Sequence, residues 1–329
     1  MHHSIKIIGL AAAISMTTSV AFSATTLKFG HIFAPNSLTH QAVVKFAEKV
    51  EMDTNGEVKI KIFPAQQLGD ERTMVESVMV GELDMTPTGP NFLGLIYPGM
   101  DVFELPYMYR SYDHLRASLK QYILPYASKQ MAGQAHAIAA FTLGMRQMMS
   151  NGKEIHSMAD LKGMKMRSPQ ADLPVRMWKA FGAAPTVVSY GEIYTALQTG
   201  LVDGCELPPV LAVESHLFES LKSLSRTDHL LNGVFVLMSE QAYGKLGKNA
   251  AAVEKAAEWA FTGWLIDENA ARGEQAIAEM EKHGVKVVDP GNETRDALAA
   301  SMTPILEEYI AKYPALKPTI DGIQVLAKK

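Results

Sequence analysis

A two-lobed α/β architecture is the fold class that this sequence predicts, and three observations carry it. A β-α-β-α-β rhythm occurs twice, the second starting roughly 140 residues after the first, and each implies a mainly parallel sheet flanked by helices. One helical stretch of roughly 35 residues, from about Asn249 to His283, would be about 50 Å long, more than the width of one small domain, so it can span both lobes. No low-complexity linker separates the two units, so chain crossings interleave the lobes instead of a single tether joining them.

The first unit opens with strand-like Thr26–Phe33. Leu38, Ala42, Val43, Phe46, Ala47 and Val50 then recur at helical spacing, and Gly56 sits beyond them where a helix stops. Val58–Ile62 alternates with period two, as a half-exposed strand does. Asp70 can cap a helix to about Val80 with Met74, Val75, Val78 and Met79 inward, and Leu83–Met85 reads as the next strand. The second unit runs through Met164–Arg167 (strand), Leu173–Phe181 (helix), Thr186–Val188 (strand), Ile193–Gln198 (helix) and Val202–Cys205 (strand). After the long helix come a short strand at Val285–Val288 and helices near Glu293–Tyr313 and Thr319–Lys328, with Pro314 and Pro318 marking the break. The expected division is a leader at 1–23, a first lobe from 24–145 and 235–290, a second lobe at 146–234, and closing helices at 291–329.

Lys6 with His2 and His3 precedes a charge-free run from Ile7 to Val20, and Ala21-Phe22-Ser23 fits a small-x-small cleavage site. This reads as a cleaved export signal and places the mature chain of roughly 305 residues outside the cytoplasm. That length and 47% hydrophobic content support a sizeable core. A net charge of −4 offers no basic footprint for nucleic acid. Cys205 is the only cysteine, which rules out an intrachain disulfide and, with no Cys/His cluster, a structural zinc site. No GxSxG, HExxH, Walker A or post-strand GxGxxG motif occurs, so neither a catalytic residue nor a cofactor or metal is expected.

Five segments in order resemble a known family. They are Gln67-Leu68-Gly69-Asp70-Glu71-Arg72, Phe103-Glu104-Leu105-Pro106-Tyr107, Asp160-Leu161-Lys162-Gly163 through Arg167-Ser168-Pro169, Gly182-Ala183-Ala184-Pro185-Thr186, and Glu192-Ile193-Tyr194-Thr195-Ala196-Leu197-Gln198 through Val202-Asp203-Gly204. Together they resemble the substrate-binding subunits of tripartite ATP-independent periplasmic (TRAP) transporters, of the dicarboxylate- and sialic-acid-binding type. The resemblance implies a periplasmic binding protein fold, capture of a small organic acid (a sugar acid first among them), cleft closure, and delivery to the transporter's membrane subunits. It implies a monomer. A sensor of the same fold, or a secreted enzyme acting on a carboxylate, are the alternatives.

The resemblance places the family's main carboxylate-binding arginine on Arg167. Its position at a strand end suits that role, because open α/β sheets bind ligands beyond the carboxyl ends of their strands and a guanidinium offers two parallel N–H donors. Arg146, flanked by Leu143, Met145, Met148 and Met149, falls where the family often has a second ligand-touching arginine. Tyr190 falls where relatives place an aromatic against the ligand. Gln170, after the Arg167-Ser168-Pro169 turn, can donate to a ligand hydroxyl. Glu206 can accept from hydroxyls or partner a binding arginine. Thr88 and His31 are expected on the first-lobe face of the cleft. Where most relatives carry an asparagine after the Val-Asp-Gly run, this chain has Leu207, which cannot hydrogen-bond and points to a ligand other than sialic acid.

Overall fold

The structure is a computed structural model and describes residues 24–327. The expected leader lies outside the described residues. The strands are β1 (Thr25–Gly30), β2 (Val58–Phe63), β3 (Met85–Thr88), β4 (Ala135–Phe141), β5 (Met145–Ser150), β6 (Lys165–Ser168), β7 (Ala184–Val187), β8 (Gly204–Leu207), β9 (Ser223–Leu231), β10 (Val234–Ser239) and β11 (Lys286–Val288). They form a sheet of order β2-β1-β3-β10-β4 and a second of order β11-β9-β5-β8-β6-β7.

Most neighbours are parallel, with one reversed strand in each sheet: β10 runs against β3 and β4, and β5 runs against β8 and β9. The reason lies in the connections. β4 leads into β5 through Thr142–Gly144, and β9 leads into β10 through Asn232–Gly233. A strand arriving from the other lobe enters its new sheet from the opposite end. These two crossings, side by side, form the floor between the lobes.

The sequence pattern fixes most helices. Leu38–Asp53 starts at Ser37, whose hydroxyl accepts from the His40 N–H, and Glu71–Met79 starts at Asp70, whose carboxylate accepts from the Thr73 N–H. Three helical segments then run end to end: Ala250–Ala257, a π-helical Glu258–Leu265, and Ile266–Lys282. Phe261 stacks on Phe29 and Phe141 under the first sheet, with ring centroids 6.1 and 5.6 Å apart. Ile277 and Met280 lie in the core of the second sheet with Met149 and Leu224. Sixteen residues separate Phe261 from Ile277, about 24 Å of helix, so one rod is anchored in both cores. Each buried Val, Leu, Ile, Phe or Met side chain on it contributes about 1.5–3 kcal/mol.

One expected boundary changes. The range 235–290, expected wholly in the first lobe, is divided between the lobes, because β11 pairs in parallel with β9 in the second sheet. The long helix carries the chain across before β11 begins, and that return was not visible in a three-residue strand.

Candidate functional site: a cleft between two sheets

Between the sheets lies a cavity of about 380 Å³, within the range of about 300–1,000 Å³ common for small-molecule sites. Residues of both lobes line it, including Phe33, Glu71, Asn91 and Glu104 on one side and Arg146, Arg167, Tyr190 and Leu207 on the other.

Arg167 sits third in β6, 5% exposed. Its carbonyl accepts from the Trp178 indole N–H at 2.9 Å, which fastens the strand to the following helix. Its Nε donates to the Val188 carbonyl at 2.9 Å. No acceptor for its two Nη groups occurs among the described residues, and the side chain lines the cavity. Burial lowers its pKa to about 10, with Glu206 opposing and Arg146 reinforcing the shift, so the group stays cationic at neutral pH. A clamped guanidinium with an unused donor fork, out of bulk water, can receive an oxyanion.

Arg146 is placed differently. It stands on β5, and Glu206 stands on the adjacent β8. The Glu206 carboxylate takes a forked ion pair from Arg146 Nε and Nη2, the latter donating at 2.6 Å to Oε1, and Nη2 also reaches the Glu206 carbonyl at 3.0 Å. His229 Nε2 lies 3.5 Å from the same carboxylate. Burial opposes ionisation of Glu206, yet Arg146 and His229 outweigh it and bring the pKa down to about 2. Of the two readings open for Glu206, the structure shows the arginine partner: it is 3% exposed and is not among the lining residues. Arg146 still borders the cavity, but most of its fork is spent inside the protein.

Tyr190 lines the cavity with its ring edge-on to Phe33 of the other lobe, centroids 6.0 Å apart. Its hydroxyl is 2.8 Å from Ser215 Oγ, so the phenol is already engaged. Gln170 lies exposed at the rim. Leu207 presents an apolar surface to the cavity. Cys205, one residue from Glu206, is fully buried and its thiol is pushed up to about 12 by burial.

Two expected residues are not brought to the cavity. His31 is 0% exposed; its Nδ1 accepts from the Phe33 N–H at 3.2 Å and its Nε2 is 3.1 Å from His40 Nδ1. Burial, helped by His40, lowers its pKa to about 3, so it is a neutral core residue, and the next two residues, Ile32 and Phe33, line the cavity instead. His31 lies just past the end of β1, where the chain bends, so strand position did not show which way its side chain faces. Thr88 is also fully buried, its hydroxyl donating to Glu71 Oε1 at 2.9 Å, while Pro87 and Gly89 line the cavity.

Sequence reasoning missed Glu71, Asn91, Glu104 and Asn232 as cleft residues. Glu71 Oε1 accepts from the Gly89 N–H at 2.9 Å as well as from Thr88. Glu104 accepts from the Asn91 N–H at 3.0 Å and from Asn232 Nδ2 at 3.3 Å. Burial raises Glu104 to about 7 even though Arg146 works against it. The available signal was Glu104 itself, a charge inside the apolar run Val102-Phe103-Glu104-Leu105 that demands polar company once buried.

With this geometry in hand, comparison with known proteins identifies the relatives. The sequence profile described as "Bacterial extracellular solute-binding protein, family 7" matches residues 29–312. The chain belongs to that family. Among its family 7 relatives is the sialic acid-binding periplasmic protein of Vibrio cholerae, 30% identical over 313 residues, covering 93% of each chain. A TRAP periplasmic solute-binding protein from Roseobacter denitrificans, solved with bound L-galactonate, superposes with a TM-score of 0.81 at 28% identity, covering 92% of this chain and 99% of that one. Another, from Xanthobacter autotrophicus, solved with bound β-D-galacturonate, gives a TM-score of 0.85 at 28% identity over 91% of this chain and 99% of that one. This family 7 chain is thus a TRAP-type solute-binding protein, and its relatives here are binding proteins and not enzymes. Among the described residues no helix is long and apolar enough to cross a membrane.

Proposed function

We propose that this protein captures a sugar acid carrying one carboxylate, grips that carboxylate with Arg167, and presents the closed complex to the membrane subunits of a TRAP transporter. The observation that carries the reading is the buried Arg167 guanidinium, its two Nη groups without an acceptor among the described residues, beside a cavity. The similar structures with L-galactonate and β-D-galacturonate support the choice of sugar acids. Leu207 and the Tyr190–Phe33 edge contact give the ligand an apolar face to lie against.

Closure draws on contacts that join the lobes. Glu214, from the helix Pro209–Glu214, accepts from the Leu38 N–H at 2.8 Å, at the start of the first-lobe helix Leu38–Asp53. In our reading the ligand stabilises this joined form, because Arg167 and the first-lobe residues touch it together only when the lobes meet. Residues 1–23 act as the export signal, the mature protein works as a periplasmic monomer, and Gln170 at the rim completes the contact to a ligand hydroxyl.

A thermal-shift panel of uronates, aldonates, C4-dicarboxylates and neutral sugars tests the assignment, since a ligand at 100 times its Kd adds about 2.7 kcal/mol of stability. The hits are then titrated calorimetrically. Arg167→Ala is expected to weaken the cognate acid by about 2–5 kcal/mol. An Arg167→Ala protein that binds within twofold of wild type overturns the proposal.

A further inference from the structure

The cleft wall facing Arg167 has an unusual balance of hydrogen-bonding groups. Glu71 is half-buried and lines the cavity; Oε1 is occupied by Thr88 and Gly89, and Oε2 has no donor among the described residues. Asn232, 3% exposed, lines the same cavity. Its Nδ2 donates to Glu104, which fixes the amide's orientation, and its Oδ1 is left buried without a donor. Both Glu104 oxygens are taken, by Asn91 and Asn232. Two acceptors therefore wait for donors that the described residues do not supply.

Arg146 and Arg167 favour the ionised forms of this wall's acids from the opposite face, but among the described residues no cation is hydrogen-bonded to it. Arg146 is spent on Glu206, and Arg72, at the mouth, is exposed and paired with Glu76 at 2.9 Å. Gly89 packs closely here: its N–H donates to Glu71, and a Cβ at this position would come within 2.6 Å of Asn91 Oδ1 and 3.4 Å of Glu104 Oε2. The wall's own unused donor is Asn91 Nδ2, which has no acceptor among the described residues. A hydroxyl can donate to Glu71 or Asn232 and accept from Asn91. An ionised carboxylate has no proton to give and would sit against two acids.

We infer that Glu71 and Asn232 determine specificity by receiving ligand hydroxyls and, with Glu104 behind them, exclude a second carboxylate, so that the site takes polyhydroxy monoacids and refuses the matching diacids. This rests on the sugar-acid reading above and narrows it.

Matched pairs test it: D-galacturonate against galactarate, and D-glucuronate against D-glucarate, titrated into the full chain by calorimetry. Wild type is expected to bind the preferred monoacid at least about 100-fold tighter than its diacid, because an ionised second carboxylate brings no proton to the acceptors Glu71 Oε2 and Asn232 Oδ1 and lies against them without solvent. Glu71→Gln keeps the shape, removes the charge and should narrow that ratio about tenfold. Asn232→Leu should weaken the monoacid about tenfold and leave the diacid unchanged. Diacid and monoacid binding within threefold of each other, with Arg167→Ala abolishing both, overturns this inference and leaves the sugar-acid reading standing. No binding of any sugar acid to wild type removes both. A folded Glu71→Gln protein with an unchanged ratio overturns the role of Glu71; should that variant not fold, the wild-type ratio and Asn232→Leu decide.

Discussion

The two faces of the cleft hold their charges by different means. On the second-lobe face, Arg146 and Glu206 neutralise each other across neighbouring strands, and Arg167 is aimed by the Val188 carbonyl. On the first-lobe face, Glu71 and Glu104 have no cation bonded to them and are held by backbone N–H groups and amides. Strands supply the first set; the ends of short helices (Glu71 at the start of Glu71–Met79, Glu104 at the end of the 3-10 helix Met100–Glu104) and the Asn232 crossing supply the second. A sheet fixes a side chain in three dimensions, which suits the ligand-gripping role proposed for Arg167. Helix ends and loops tolerate change, which suits the ligand-choosing role proposed for these groups.

That contrast can be broken in three ways, with effects of decreasing size. The largest concerns the compensated pair. Arg146→Leu strands the Glu206 carboxylate in the sheet and should cost about 3–5 kcal/mol in denaturant unfolding, whereas the double replacement Arg146→Leu/Glu206→Leu should recover most of it. Equal losses in the single and double variants would show that packing, and not charge, holds this face.

Next comes the pH response of the opposite face. Glu104 is raised from 4.5 to about 7, so the folded protein binds more protons than the unfolded chain between those values, and stability falls as pH rises through that window. Glu206 acts in the other sense. Its pKa, depressed to about 2, contributes stability that is present above 4.5 and is lost as pH falls toward 2. The stability of Glu104→Gln relative to wild type should therefore grow by on the order of 2–3 kcal/mol from pH 4.5 to 7, then level off. A flat difference measured by urea unfolding would mean that Glu104 is ionised throughout.

The smallest effect belongs to the contact between the faces. Glu214→Ala removes the acceptor for the Leu38 N–H and should cost about 0.5–2 kcal/mol of closure, read as weaker ligand binding and a larger radius of gyration without ligand. An unchanged radius would place the closing force elsewhere.

How much of this was legible depended on whether sequence pattern and structure shared a cause. Helices with a capping residue and apolar spacing, such as Glu71–Met79 behind Asp70, could be read directly. The long bridging rod could be read from its length, although its π-helical centre could not. The crossing strands could not be read. β4, β5 and β10 are nearly all buried, and Ala-Ile-Ala-Ala and Met-Arg-Gln-Met-Met lack the alternation that marks a half-exposed strand. Arg167 was legible because it ends a strand inside a recognisable segment. Glu71, Glu104 and Asn232 are distant in sequence, and tertiary packing alone unites them; Asn232 lies in the β9–β10 crossing, which the pattern did not reveal.

The solitary thiol has a practical consequence. Cys205 is sealed within the second core and holds its proton well above neutral pH, so it is a silent background for maleimide chemistry. Cysteines introduced at exposed Met52 on one lobe and Leu201 on the other can carry a dye pair, with the native residue left in place. The protein is in that sense ready for single-molecule distance measurement, and the jaws can be watched as they shut around each candidate acid.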